Sequence, residues 1–136
     1  MPLSLSPEHR LLLRQFVQFG AIGVLGFVWD ASTVYATTPF IGLYAAGVVA
    51  YLVAASVNWL LNRIWTYRHL SHGAMHRQWM MFLAANGVGF VINRGTYFAL
   101  IAMVPICHDK PVLAVAAGAI AGMFINFFLS RRLVFR

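Results

Sequence analysis

Two short runs end in the same polar signature. NWLLNRIWTYR carries Asn58 and Arg63, and NFFLSRRLVFR carries Asn126 and Arg131, so Asn-x-x-x-x-Arg closes an apolar stretch twice. An arginine fork beside a carboxamide suits an anion such as phosphate. Asparagine between apolar helices also acts as hydrogen-bonding glue, so packing stands beside headgroup binding as a reading of Asn58 and Asn126. A second pair of candidates lies deeper. Asp30 sits inside FGAIGVLGFVWDASTVYAT and Arg94 inside GVGFVINRGTYFA. A charge at membrane depth costs roughly 2.5 kcal/mol or more unless something meets it.

Counting from the boundary residues Arg14 and Arg77, Asp30 is 16 residues along and Arg94 is 17. At 1.5 Å per residue both lie roughly 25 Å into their helices. Opposite signs at matched depth predict that Arg94 meets Asp30. The pair is read either as a static tie or as a site where an anionic substrate exchanges with the carboxylate. His69, His72 and His76 gather in RHLSHGAMHRQW, with His72 and His76 at helical spacing. With no carboxylate or cysteine nearby, that segment reads as a solvated interfacial loop, and no metal is expected.

The elements that must hold these residues follow from composition. Of 136 residues, 61% are hydrophobic and 10% charged, too few polar groups to cover a soluble domain. The net charge of +7 could suggest nucleic acid, but the arginines sit at the ends of apolar runs, the pattern of topology signals. The single cysteine, Cys107, rules out an intrachain disulfide. MPLSLSPEHR is unlike a cleavable signal, because the apolar run after it is long and carries Asp30. The only lysine stands in HDKP, so no Walker P-loop exists. No nucleophile with a base, and no carboxylate pair for glycosyl transfer, is recognisable. The expectation is a protein that is not an enzyme, with no cofactor and no nucleic-acid partner.

Four apolar segments, approximately 15–37, 43–63, 79–104 and 111–130, are each long enough to cross a ~30 Å hydrocarbon layer. TTPFIG and PICHDKP carry turn residues between them. Arg10, Arg14, Arg63, Arg68, Arg77, Arg131, Arg132 and Arg136 flank one side, against Lys110 on the other. Both termini and the middle loop are therefore expected in the cytoplasm, with Trp59, Trp65, Trp79 and Tyr67 as an interfacial belt.

The chain also repeats itself, approximately over 14–68 and 77–136. Arg14/Arg77, Gln15/Gln78, Phe19/Phe82, Gly26/Gly89 and Thr33/Thr96 coincide, as do Asn58/Asn126 and Arg63/Arg131. Polar matches in register point to a duplicated helical hairpin, a parallel repeat of the kind found in transporters. Ala46, Ala50, Ala54, Asn58 and Asn62 recur every fourth residue, and so do Ala114, Gly118, Gly122, Asn126 and Ser130. Small residues at that spacing let helix backbones approach. The fold expected is an all-α membrane protein, a single domain over 1–136 of four transmembrane helices in two parallel-repeated hairpins.

FGAIGVLGFVWD in the first helix, NWLLNRIWTYR after the second and its echo NFFLSRRLVFR resemble the GtrA-like family, over nearly the whole chain. The resemblance implies a bacterial inner-membrane protein of cell-surface polysaccharide synthesis and O-antigen glucosylation. It implies a flippase that moves a polyprenyl-phosphate-linked sugar beside a membrane glycosyltransferase. Asp30, Asn58, Arg63, Asn126 and Arg131 fall on its motif positions, whereas Arg94 rests on the depth argument. Four helices enclose little space, so a homo-oligomer is expected. Two alternatives remain open. A non-transporting scaffold subunit for a glycosyltransferase suits the same stripes and charges. A small multidrug-type exporter shares four helices and a membrane carboxylate, but the one-sided arginines oppose it.

Overall fold

The computed structural model describes residues 4–70 and 73–135, and every regular element among them is helical. The first helix, α1, spans Pro7–Ile41. It starts well before the expected 15 because Ser6, Pro7 and Glu8 form a start signal. The Ser6 hydroxyl accepts the His9 backbone N–H at 3.4 Å, proline opens the helix, and Glu8 lies in its first turn. At 35 residues α1 is about 52 Å long, well beyond the thickness of a hydrocarbon layer.

Its far end also differs from expectation. TTPFIG reads as a turn, yet the helix continues through Pro39. The Thr33, Thr37 and Thr38 hydroxyls donate to the carbonyls of Trp29, Thr33 and Val34 at 2.6–2.7 Å, each four residues back, and do not replace the bond that Pro39 withholds from the Tyr35 carbonyl. Gly42 alone makes the reversal, at φ 84°, a conformation that favours glycine. The next helix, α2, spans Leu43–Leu61 and runs into a π-helical turn over Asn62–Thr66.

Beyond the middle loop, α3 spans Met75–Met103. PICHDKP then folds as a short helix, α4 (Pro105–Asp109), rather than as an open turn. Pro105 and Pro111 each stand at the start of a helix, where a missing N–H costs nothing. The last helix, α5, spans Pro111–Leu129 and again ends in a π-helical turn, Ser130–Val134.

Three helical stretches among the described residues are long and apolar enough to cross a membrane: Pro7–Ile41, Tyr44–Thr66 and Val112–Val134. The protein is therefore a membrane protein. Helix α3 is continuous and long enough, but Asn86, Asn93 and Arg94 interrupt its apolar run, so it stands outside that group.

The chain divides into two compact units, Met1–His72 and Gly73–Arg136, at the junction between the repeat halves. Each unit is a hairpin with its own interior. In the first, Gln15, Phe19, Ile22 and Gly26 of α1 are buried; in the second, their repeat equivalents Gln78, Phe82, Ala85 and Gly89 of α3 are buried. The four-residue stripes of α2 and α5 supply the opposing walls. Ala46, Ala50 and Asn62 are buried in one, and Ala114, Gly118, Gly122 and Ser130 in the other. The stripes thus serve each hairpin internally. A Cβ on Gly122 would stand 2.9 Å from the Gly89 carbonyl oxygen, too close for two chains at this separation. Large apolar side chains such as Phe27 and Phe98 face away from their own hairpin, as a lipid solvent allows.

Candidate functional site: two repeat-related hairpin ends

Both Asn-x-x-x-x-Arg signatures lie where a hairpin's second helix gives way to its π-helical turn. In the first unit, the Asn58 carboxamide lies on Gly26. A Cβ on that glycine would stand 2.5 Å from Nδ2 and 2.6 Å from Oδ1. One turn on, Asn62 is fully enclosed. Its Nδ2 donates to the Asn58 carbonyl at 2.9 Å, and its Oδ1 accepts from the Thr66 hydroxyl at 2.8 Å. The Tyr67 N–H reaches back to the Asn62 carbonyl at 2.9 Å and closes the wide turn. Such π-helical turns recur at functional sites. Arg63 leaves this turn half-buried, its guanidinium carbon 5.9 Å from the centre of the Trp59 ring. Buried Gln15 lies 3.5 Å from the His69 ring and ties α1 to the segment after the turn.

The second unit repeats this plan with different polar chemistry. Asn126 lies on Gly89 as Asn58 lies on Gly26. The Phe135 N–H reaches the Ser130 carbonyl at 2.8 Å, and Gln78 donates to the Val134 carbonyl at 3.3 Å. Phe82 and Phe135 meet edge to face at 6.0 Å. Arg131 is half-buried beside Ser130. Three buried atoms here have no hydrogen-bond partner among the described residues: Asn86 Nδ2, Asn126 Oδ1 and Ser130 Oγ. In the first unit Asn58 Oδ1 shares that condition.

Asp30 and Arg94 belong to different units. Asp30 is half-buried and extends the α1 stripe by one turn beyond Gly26. Its repeat equivalent is Asn93, whose carbonyl oxygen and Oδ1 would lie 2.6 and 2.8 Å from a Cβ on Gly118. Arg94 is one residue off that stripe and exposed on its own hairpin, with its guanidinium carbon 5.5 Å from the centre of the Phe90 ring. The expectation that the two charges meet rests on their matched depth alone.

At the opposite end of the second hairpin, a cavity of about 260 Å³ is lined by residues 101–105 with His108 and Asp109, whose exposed side chains lie 3.7 Å apart. His69 and His76 are exposed, while His72 and Arg136 lie outside the described residues. No group of three or more metal-ligating side chains occurs among the described residues.

The sequence reading assigned Asn58, Arg63, Asn126 and Arg131 to one kind of site, and in each hairpin the asparagine and arginine do fall on the same end. It missed the part played by Gln15, Gln78 and Asn86, and the conversion of Asn62 and Ser130 into turn residues. The register of Gln15 with Gln78 was a usable signal, since a repeated glutamine at a helix boundary needs a repeated partner.

The family model described as GtrA/DPMS, transmembrane domain, matches residues 18–136, which takes in both hairpin ends. No curated relative matches the chain.

Proposed function

The chain belongs to the GtrA/DPMS transmembrane-domain family, and from that membership we propose that it moves a polyprenyl-phosphate-linked monosaccharide across the bacterial inner membrane. The observation that carries this reading is the duplicated hairpin end. A half-buried arginine emerges from a π-helical turn one helical turn or so beyond an asparagine seated on glycine, in both units. An arginine so placed can meet a lipid phosphate with its fork while its stem stays in apolar surroundings.

In this reading α3 is a fourth span, and both termini and the middle loop face the cytoplasm, following the one-sided arginines. Arg63 and Arg131 receive the phosphate at the cytoplasmic face, supported by Asn58 and Asn126. Asp30 and Arg94 offer charges deeper within their own hairpins. The protein performs no bond chemistry itself and works beside a membrane glycosyltransferase. Each hairpin closes on its own small-residue seam, so a path wide enough for a sugar headgroup needs two or more copies of the chain.

The test is transport of labelled polyprenyl-phosphate-linked sugar in vesicles holding only this protein. Accumulation on the far leaflet supports a carrier. Binding of the lipid without transfer would instead make the chain a scaffold for its glycosyltransferase.

A further inference from the structure

The two hairpin ends share a backbone plan but differ in what their polar groups have to bind. In the first, Asn62 spends its carboxamide on the Asn58 carbonyl and the Thr66 hydroxyl, and the position equivalent to Asn86 is Gly23, which has no side chain. In the second, Ser130 replaces Asn62 and Val134 replaces Thr66, so that internal chain of bonds is lost. Ser130 is 1% exposed, and its hydroxyl finds no partner among the described residues.

Asn126 and Ser130 are four residues apart on one face of α5, the face that meets α3 through Gly89. In an antiparallel pair, one turn back along α3 lies level with one turn forward along α5. Asn86, three residues before Gly89, is therefore level with Ser130. A donor (Asn86 Nδ2), an acceptor (Asn126 Oδ1) and a hydroxyl that can do either (Ser130 Oγ) stand buried in two successive turns of one hairpin. An unmet buried polar group costs about 1–3 kcal/mol, and three within two turns of one hairpin call for an occupant.

We propose that this end of the second hairpin, with Asn86, Asn126 and Ser130, is the half that recognises the hydroxyl groups of the lipid-linked sugar, while the first hairpin's end, where Asn62 and Thr66 are bonded to one another, meets the phosphate through Arg63 without reading the sugar. The assignment rests on the reading of the protein as a lipid-linked-sugar carrier. It narrows the ligand chemistry. A phosphate only accepts hydrogen bonds, so by itself it would leave the acceptor Asn126 Oδ1 unmet. A sugar hydroxyl both donates and accepts, which matches the mixed set. Arg131, adjacent in sequence to Ser130, takes the phosphate that the sugar hangs from. Since the three polar atoms are enclosed, the hydroxyls reach them as the π-helical turn Ser130–Val134 yields.

The repeat supplies its own test. Ser130→Asn with Val134→Thr rebuilds the first hairpin's bonded turn in the second. The purified full-length chain in nanodiscs is titrated with a polyprenyl-phosphate-linked monosaccharide and with the sugar-free polyprenyl phosphate. Wild type should prefer the sugar-linked lipid. The rebuilt variant should be at least as heat-stable, bind the sugar-free lipid unchanged, and lose the preference by about tenfold, the size of one or two neutral hydrogen bonds. Ser130→Ala should lose part of the preference, and Asn62→Ser in the first hairpin should lose stability without losing any of it. A preference that survives both changes at Ser130 overturns the assignment and leaves an enclosed water as the occupant. Equal wild-type affinity for both lipids overturns it too but keeps the phosphate reading. Affinity for neither lipid removes the carrier reading itself.

Discussion

The Asn126 carboxamide occupies the space that a Cβ on Gly89 would need, and it does so in the same register as Asn58 on Gly26. A contact duplicated between halves whose other residues have diverged is a requirement of the hairpin, not a by-product of apolar packing.

Gly89→Ala and Gly26→Ala should therefore each destabilise the protein by about 1–3 kcal/mol, the cost of forcing a side chain into filled space. Gly23→Ala, where a Cβ would meet nothing within 4 Å, is the control and should be neutral or better. Thermal unfolding in detergent gives the comparison. A gain at Gly26 equal to that at Gly23 would show that helix propensity, not the asparagine, governs both.

Leucine at Gly118 or Gly122 should be more damaging still. A Cβ there would stand 2.6 Å from the Asn93 carbonyl oxygen or 2.9 Å from that of Gly89, and neither backbone atom can rotate away. Leucine at Gly47, which has open space, should leave unfolding unchanged. A stable, monodisperse Gly118→Leu would mean that the α3–α5 seam is not as described.

Asn62→Ala removes two hydrogen bonds at once and leaves the Thr66 hydroxyl unmet in a buried turn, while the Asn58 carbonyl keeps the Asn62 backbone N–H. The cost should be about 1–3 kcal/mol. Thr66→Ala should cost little more when added to it, because the two changes delete one shared bond. Full additivity would show that the Thr66–Asn62 bond contributes nothing.

Arg63→Gln and Arg131→Gln leave most of the one-sided positive charge, so insertion should persist while affinity for the lipid phosphate falls by about 1.5–3 kcal/mol. The insertion arm is read by labelling single cysteines, in the segment 37–42 from outside and in 70–75 only after permeabilisation. Native Cys107 is buried and needs replacing only as a precaution. Wild-type affinity in either mutant would reduce that arginine to a topology signal.

Helix content, the repeat and the arginine-flanked ends were legible in the sequence because hydrophobic run length and charge placement act locally. The stripes of α2 and α5 were legible as close-packing surfaces, although the partner they meet, each hairpin's own first helix, was not. The π-helical turns left no such mark. They are closed by the Tyr67 and Phe135 N–H groups reaching five residues back, choices that apolar periodicity does not encode. Pro39 misled in the other direction, since the helix runs through it and ends only at Gly42, the residue with φ 84°. Arg94 was located by depth, but depth fixes no azimuth, and its exposed position over Phe90 follows from being one residue off the buried stripe.

Helix α1 is unbroken from Pro7, whereas the family match begins at residue 18. Its first three turns or so therefore share an axle with the buried stripe that starts at Gln15, and angle on one is angle on the other. One residue inserted between Arg10 and Arg14 would swing everything before it by about 100° and advance it about 1.5 Å, while the hairpin below kept its seam. Whatever reads the leading turns of this protein reads them as a compass needle, whose heading a single codon can reset.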